Sequence, residues 1–228
     1  MRKIIICLYI IIFLTACSLN QNRLNKNIKE NNTAENINDD TMLNILLSEI
    51  NVRDIHDYYF PTNSFKFDQF TQSWYGGFLD VLDNVNLVNI TGKNAIRFLC
   101  LRTFHKPFSI KIIWGKDDYP LLEFNLSNGS GGYSFGNIIK NTKKNVNSES
   151  INELLKMLDN NNFYNQPTIG SMPEGIISFD GSNWIIEVNI NGNYHVLERG
   201  TGTIGRNVAN EIGNYLIELS GEEIEDMY

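Results

Sequence analysis

The chain has 228 residues, with 19 Lys and Arg against 26 Asp and Glu, and a formal net charge of −7. A nucleic-acid groove needs a basic face, and the one basic cluster, Lys140, Lys143 and Lys144, is small, so nucleic acid is a disfavoured partner. Roughly 180 residues beyond the N-terminal segment suit one domain with its own core.

The N-terminus reads as an export signal. Met1, Arg2 and Lys3 carry positive charge, and an apolar run follows from Ile4 to Ala16. That run is thirteen residues long. A bilayer-spanning helix needs about twenty. Leu14-Thr15-Ala16-Cys17 resembles a bacterial lipobox. The resemblance implies cleavage after residue 16 and a diacylglyceryl group on the Cys17 thiol. Two acyl chains hold a protein on a bilayer, where one gives only marginal binding. Cys7 follows Ile5 and Ile6, where small residues are needed. The alternative is an uncleaved N-terminal anchor. Ser18 after the cysteine implies sorting to the outer membrane if the source has two membranes. The expected segments are a signal peptide at 1–16, a lipidated Cys17 with an Asn-rich tether at 17–41, and one domain at 42–228. Such a tether reaches about 25 Å.

In the domain, Met42, Leu43, Ile45, Leu46 and Ile50 have helical spacing, with Thr41 as a cap. A second helix is expected over Phe67–Val81, interrupted by Gly76 and Gly77. The period then changes to two. Ile96, Phe98, Cys100, Arg102 and Phe104 share one strand face, and Phe108, Ile110, Ile112 and Trp114 share another. Pro107 lies between them, at a strand start or edge. Leu121–Leu126 is a third strand after the turn at Gly115-Lys116-Asp117-Asp118. A Gly-rich loop spans Asn128–Gly136. A helix follows with Ile151, Leu154, Leu155 and Leu158 as its stripe, capped by Ser148 or Ser150 and ended by Asn160-Asn161-Asn162. Trp184–Ile190 and Tyr194–Arg199 flank Asn191-Gly192, a strong hairpin signal. Thr203 opens a last helix through Leu219. Grouped strands and helices predict an α+β domain: one antiparallel sheet of about five strands with helices packed mainly on one face.

Several short motifs occur in order: Trp74-Tyr75, Leu101-Arg102-Thr103-Phe104-His105, Gly129-Ser130-Gly131-Gly132-Tyr133, Asp180-Gly181-Ser182-Asn183-Trp184 and Tyr194-His195-Val196. Together they resemble a family of bacterial secreted proteins and lipoproteins, covering about Trp74 to Leu219. The resemblance implies a fold and no mechanism. This chain has Gly200 after Arg199 where the family usually has Trp, and Phe135 before Gly136 where Pro is usual.

For catalysis, the candidates are Arg102, His105, Asp180, Glu187, His195 and Arg199. A histidine with a carboxylate can act as general base, and paired arginines can fork around a carboxylate or phosphate. If Asn191-Gly192 is a two-residue turn, Val188 faces His195, Ile186 faces Leu197 and Trp184 faces Arg199. His195 then sits on the apolar side as a core histidine. Trp184 beside Arg199 reads as a cation–π pair. His56, His105 and His195 lack the close spacing of zinc ligands, and no Gly-x-Ser-x-Gly elbow occurs, so no metal and no cofactor are expected. The glycines match neither the dinucleotide fingerprint nor a P-loop, and read as a strand connection needing positive φ. Cys100 reads as a buried core residue. The expected function is a membrane-anchored envelope protein that binds or scaffolds a protein, peptide or glycan, with Tyr133 and Phe135 at its contact surface. The alternatives are a hydrolase using His105 or His195 with Asp180 or Glu187, and an inhibitor or immunity lipoprotein.

Overall fold

The computed structural model describes residues 59–61, 69–116, 118–176, 180–225 and 227. The expected signal segment, Cys17, the tether, the Met42–Ile50 helix, His56 and Phe67 lie outside the described residues. Among the described residues no helix is long and apolar enough to cross a membrane.

Helix α1 spans Gln69–Leu82. Strands β1 (Asn94–Arg102), β2 (Phe108–Trp114), β3 (Leu121–Ser127) and β4 (Ile138–Asn145) follow. Helix α2 (Ser148–Asn160) leads to β5 (Ser182–Ile190), β6 (Asn193–Gly200) and α3 (Arg206–Ser220). The sheet order is β4-β3-β2-β1-β5-β6, and every neighbouring pair is antiparallel. The domain is therefore α+β with a single antiparallel sheet of six strands, one more than expected. The extra strand is β4. Its sequence, Ile138-Ile139-Lys140-Asn141-Thr142-Lys143-Lys144-Asn145, has no alternating apolar signal because neither of its faces is buried.

Period-two alternation sends the strand side chains to two cores. Ile96, Phe98 and Cys100 of β1 join Phe108, Ile110, Trp184, Ile186 and Leu197 beneath α2 and α3. Leu99 and Leu101 join Ile185 and Val196 beneath α1, with Tyr75, Phe78 and Leu79. Two helices thus cover one face and one covers the other. Fully burying a side chain of the Phe98 class contributes about 1.5–3 kcal/mol. Phe98 meets Trp184 at 4.9 Å and Phe108 edge-on at 5.6 Å. Helix α3 reaches this cluster because residue 213 is glycine: a Cβ there would lie 2.6 Å from Trp184 Cζ3.

The α1 face also carries a charged row that crosses five strands. Glu187, Arg97, Lys111, Glu123 and Lys143 stand opposite one another in register, from β5 through β1, β2 and β3 to β4. Arg97 and Glu187 are fully buried, and the row emerges into solvent at Lys143. Arg97 Nε donates to Glu187 Oε2 at 2.7 Å, and Nη1 donates to Val85 O at 2.6 Å. Asp83, just past α1, sits 3.2 Å from Arg97 and also pairs with Lys111. Tyr194 donates to the second Glu187 oxygen at 2.8 Å. Burial works against the Arg97 charge, but the Glu187 and Asp83 carboxylates outweigh it and hold its pKa above the ordinary value. Every member of the inner row has hydrogen-bond partners, the condition for burying charge without a large penalty.

The two sheet edges differ. Along β6, the segment after α2 lies against the outer edge: Glu198 N donates to Thr168 O at 2.6 Å and Gly170 N donates to Glu198 O at 3.0 Å. Along β4, no described residue pairs with the outer edge.

Local chemistry ends the elements. Asn147 caps α2 by accepting from Ser150 N at 2.7 Å, so the cap precedes the two expected serines. Asn161 closes the helix and Asn162 adopts φ 49°, a conformation asparagine tolerates. The last helix begins at Arg206, after a turn at Thr203–Gly205. Strand β1 ends at Arg102, so Phe104 is on the following turn and not on the strand face.

Candidate functional site: the aromatic end of the sheet

Strands β1, β3 and β6 end, and β2, β4 and β5 begin, at one end of the sheet. The β1–β2 turn carries Thr103-Phe104-His105-Lys106, and the β3–β4 connection is the Gly-rich loop. The two are zipped together through backbone. Gly131 N donates to His105 O at 3.1 Å, Gly132 N to Thr103 O at 3.0 Å, and Ser130 Oγ to Thr103 O at 2.7 Å. Gly129 N donates to Ser127 Oγ at 2.8 Å, and Asn137 N to the Asn128 side chain at 2.8 Å. These amides are committed to the protein's own carbonyls and side chains, so they form no open nest for a phosphate.

The glycines permit close approach more than unusual dihedrals. A Cβ on Gly131 would collide with the Arg102 backbone, and one on Gly132 would lie 2.9 Å from Thr103 O. Only Gly136 of this loop has positive φ, at 68°. The expectation of positive φ thus holds at one position, and contact explains the others.

The zipped loops aim their aromatic side chains in opposite directions. Phe135 turns inward and is half-buried, packed on Phe78 at 4.8 Å and Trp74 at 5.2 Å. Its ring thus fastens the loop to α1 while staying partly exposed, as expected. Tyr133 turns outward and stacks on Phe104, with ring centroids 5.8 Å apart and planes at 28°. Phe104 is 59% exposed and Tyr133 40%. Ile138, Ile139 and Ile204 are exposed at this same end.

The six catalytic candidates are not gathered at one place: Glu187 and His195 lie on opposite faces of the sheet, while His105 and Asp180 share its aromatic end. Glu187 is locked to Arg97 and Tyr194 on the α1 face. His195 faces the opposite side, across from Val188 as expected, edge-on to Phe163 at 5.3 Å. Its Nε2 lies 3.0 Å from Gln166 O; a carbonyl only accepts, so this nitrogen carries a proton and donates. Burial, with Arg199 nearby, lowers the His195 pKa. The level of His195 on β1 is Ile96, and β1 runs six residues further, to Arg102, before the turn that carries His105, so the two histidines are separated by about 20 Å along the sheet. Asp180 is exposed near the His105 end, where Thr103 N and Oγ1 both donate to Gly181 O. Arg102 donates to the carbonyls of Lys106 and Glu225 and lies over Phe108.

Arg199 does not stack on Trp184. It turns to the β6 edge and donates to Pro167 O at 2.9 Å and Thr168 O at 3.2 Å. Arg206 takes the place over Trp184, 4.4 Å from the ring centroid. It also donates to Ser182 O at 3.2 Å and Asn210 Oδ1 at 3.0 Å. Burial pulls its pKa down to about 10, which leaves it charged at neutral pH. Sequence spacing favoured Arg199 because it lies directly across the hairpin. The ring's open face belongs instead to the helix that packs on the sheet. A small pocket of about 260 Å3 lies here, lined by Trp184, Thr201, Arg206, Asn210 and Asn214.

Cys100 is buried, and burial pushes its thiol up to about 12, so it is an inert core residue. No group of three or more His, Cys, Asp or Glu suited to a metal occurs among the described residues.

Glu198 is a further buried carboxyl, reached by Tyr75 Oη at 3.4 Å. Burial raises its pKa, and Arg199 offsets part of that rise. The unfolded value is about 4.3. A raised folded pKa means that this group's stabilisation is complete below that value and lost as pH rises through the folded pKa. Glu198→Gln is therefore expected to raise the Tm at pH 7 and leave it nearly unchanged at pH 4. Thermal melts at the two pH values check this, and a Tm that falls at pH 7 would contradict it.

Compared with protein-family models and with curated proteins, the chain matches none.

Proposed function

We propose that this chain is a lipid-anchored protein of the bacterial cell envelope whose α+β domain binds or scaffolds another envelope component. The contact surface is the aromatic end of the sheet. The observation that supports this reading is the outward Phe104–Tyr133 stack. Exposed aromatic rings are costly to leave in water and are enriched at binding surfaces. A loop fastened by backbone bonds on both sides presents them at little cost in ordering entropy. Stacked rings of this kind suit a protein, peptide or glycan partner.

The anchor is Cys17, on the strength of Leu14-Thr15-Ala16-Cys17 after a short apolar run. Likeness to the family of secreted proteins and lipoproteins belongs to the same reading. Labelling with a fatty-acid probe tests the address. Wild type is expected to incorporate the probe and fractionate with the envelope, and Cys17→Ala to do neither. A mature protein that keeps Met1, or equal labelling of the variant, would overturn the anchor.

A further inference from the structure

We propose that the outer edge of β4 accepts an extended acidic segment of a partner protein as a seventh strand of the sheet. The proposal goes beyond the aromatic end and does not rest on it.

The sheet treats its two edges differently. The β6 edge is covered by the chain's own segment around Thr168 and Gly170, which bonds Glu198 in parallel. The β4 edge has no such cover among the described residues. Natural sheets blunt an open edge by making it short, by placing proline or charged residues (lysine above all) in it, by twisting it away with a bulge or by covering it, and of these β4 carries three lysines that disfavour a like-charged strand. β4 is eight residues long, contains no proline, and its one irregularity lies at its first residues, opposite Leu126 and Ser127. Seven of its eight residues are exposed, including Ile138 and Ile139.

Charge selects the occupant. Lys140, Lys143 and Lys144 form a basic cluster within one strand of a chain whose net charge is −7. Lys140 is drawn toward Glu222 on one face of the sheet, and Lys143 lies 3.1 Å from Glu123 on the other. The lysines thus stand above and below the edge and leave the backbone groups between them accessible. A second copy pairing through β4 would set lysines against lysines, which is unfavourable. An acidic strand gains backbone hydrogen bonds, opposite-charge pairs and an apolar start at Ile138-Ile139. Elsewhere the acidic surface repels it.

The test uses the full chain in detergent and a fluorescently labelled, end-capped peptide of eight alternating Glu and Val residues. Anisotropy is expected to show saturable binding. Lys144→Glu, at an exposed position, is expected to weaken it at least tenfold, and Lys140→Gln with Lys144→Glu to abolish it, with circular dichroism showing that both variants stay folded. Two further peptides carry N-methyl groups on alternate amides, one in each register. One is expected to lose binding and the other to keep it, because an added strand offers only alternate amides to its neighbour. No binding of the parent peptide overturns the proposal. So does equal binding of all three peptides, which would mean ionic adsorption only, or dimerisation of the chain through β4.

Discussion

Replacing Arg97 with alanine is expected to cost about 3–5 kcal/mol, the range for breaking a buried ion pair by removing one partner. The guanidinium is fully buried and bonds Glu187, Asp83 and Val85 O. Its loss strands the Glu187 carboxylate and the Val85 carbonyl beneath α1. Lys111 remains beside Asp83 but is not in contact with Glu187. Urea unfolding checks the value, and a loss below about 1 kcal/mol would show that the row is not closed as described. Removing both partners is expected to be milder. Arg97→Met with Glu187→Leu replaces a charged pair by apolar volume and leaves no orphan carboxylate at position 187. The double variant is thus expected to be more stable than Arg97→Ala alone.

Trp184→Ala is expected to cost a comparable ~3–5 kcal/mol through the cavity it opens. The indole is 2% exposed and packs between Phe98, Gly213 and the Arg206 guanidinium. Its loss acts on two elements at once. The core beneath α3 loses an indole ring, and Arg206 at the start of that helix loses its platform. Hydrogen exchange is expected to speed up at Arg206–Asn210 more than at Ser148–Asn160. Equal acceleration in both helices would contradict this coupling.

The parts of the fold that were legible in the sequence are those where burial alternates. β1, β2, β3 and the hairpin each bury at least one face, so period two appears in their residues, and Asn191-Gly192 set the β5–β6 register correctly. Edge strand β4 was invisible for the opposite reason: a strand exposed on both faces leaves no hydrophobic trace. The charged row was also hidden. Arg97, Lys111 and Glu123 alternate with apolar residues as any solvent-facing strand residue would, and sequence alone does not say that α1 covers them. Glu187 was singled out for chemistry because it is ionisable, yet its neighbours in space make it structural. Arg206 took the place over Trp184 expected for Arg199 because helix-to-sheet contacts do not follow strand register. At the candidate site, the Gly-rich loop and Tyr133 could be read in advance. Phe104 was read as a strand residue, and its stacking partner became apparent only when two loops 29 residues apart met.

The contact surface is tested most directly by photo-crosslinking in the intact envelope. A photoreactive phenylalanine is placed at Tyr133, and separately at Tyr119, which is 82% exposed at the opposite end of the sheet. Irradiation is expected to give a discrete adduct from position 133 and none from position 119. An adduct from position 119 alone, or from neither position in a protein that is folded and membrane-localised, would contradict a contact surface at the aromatic end.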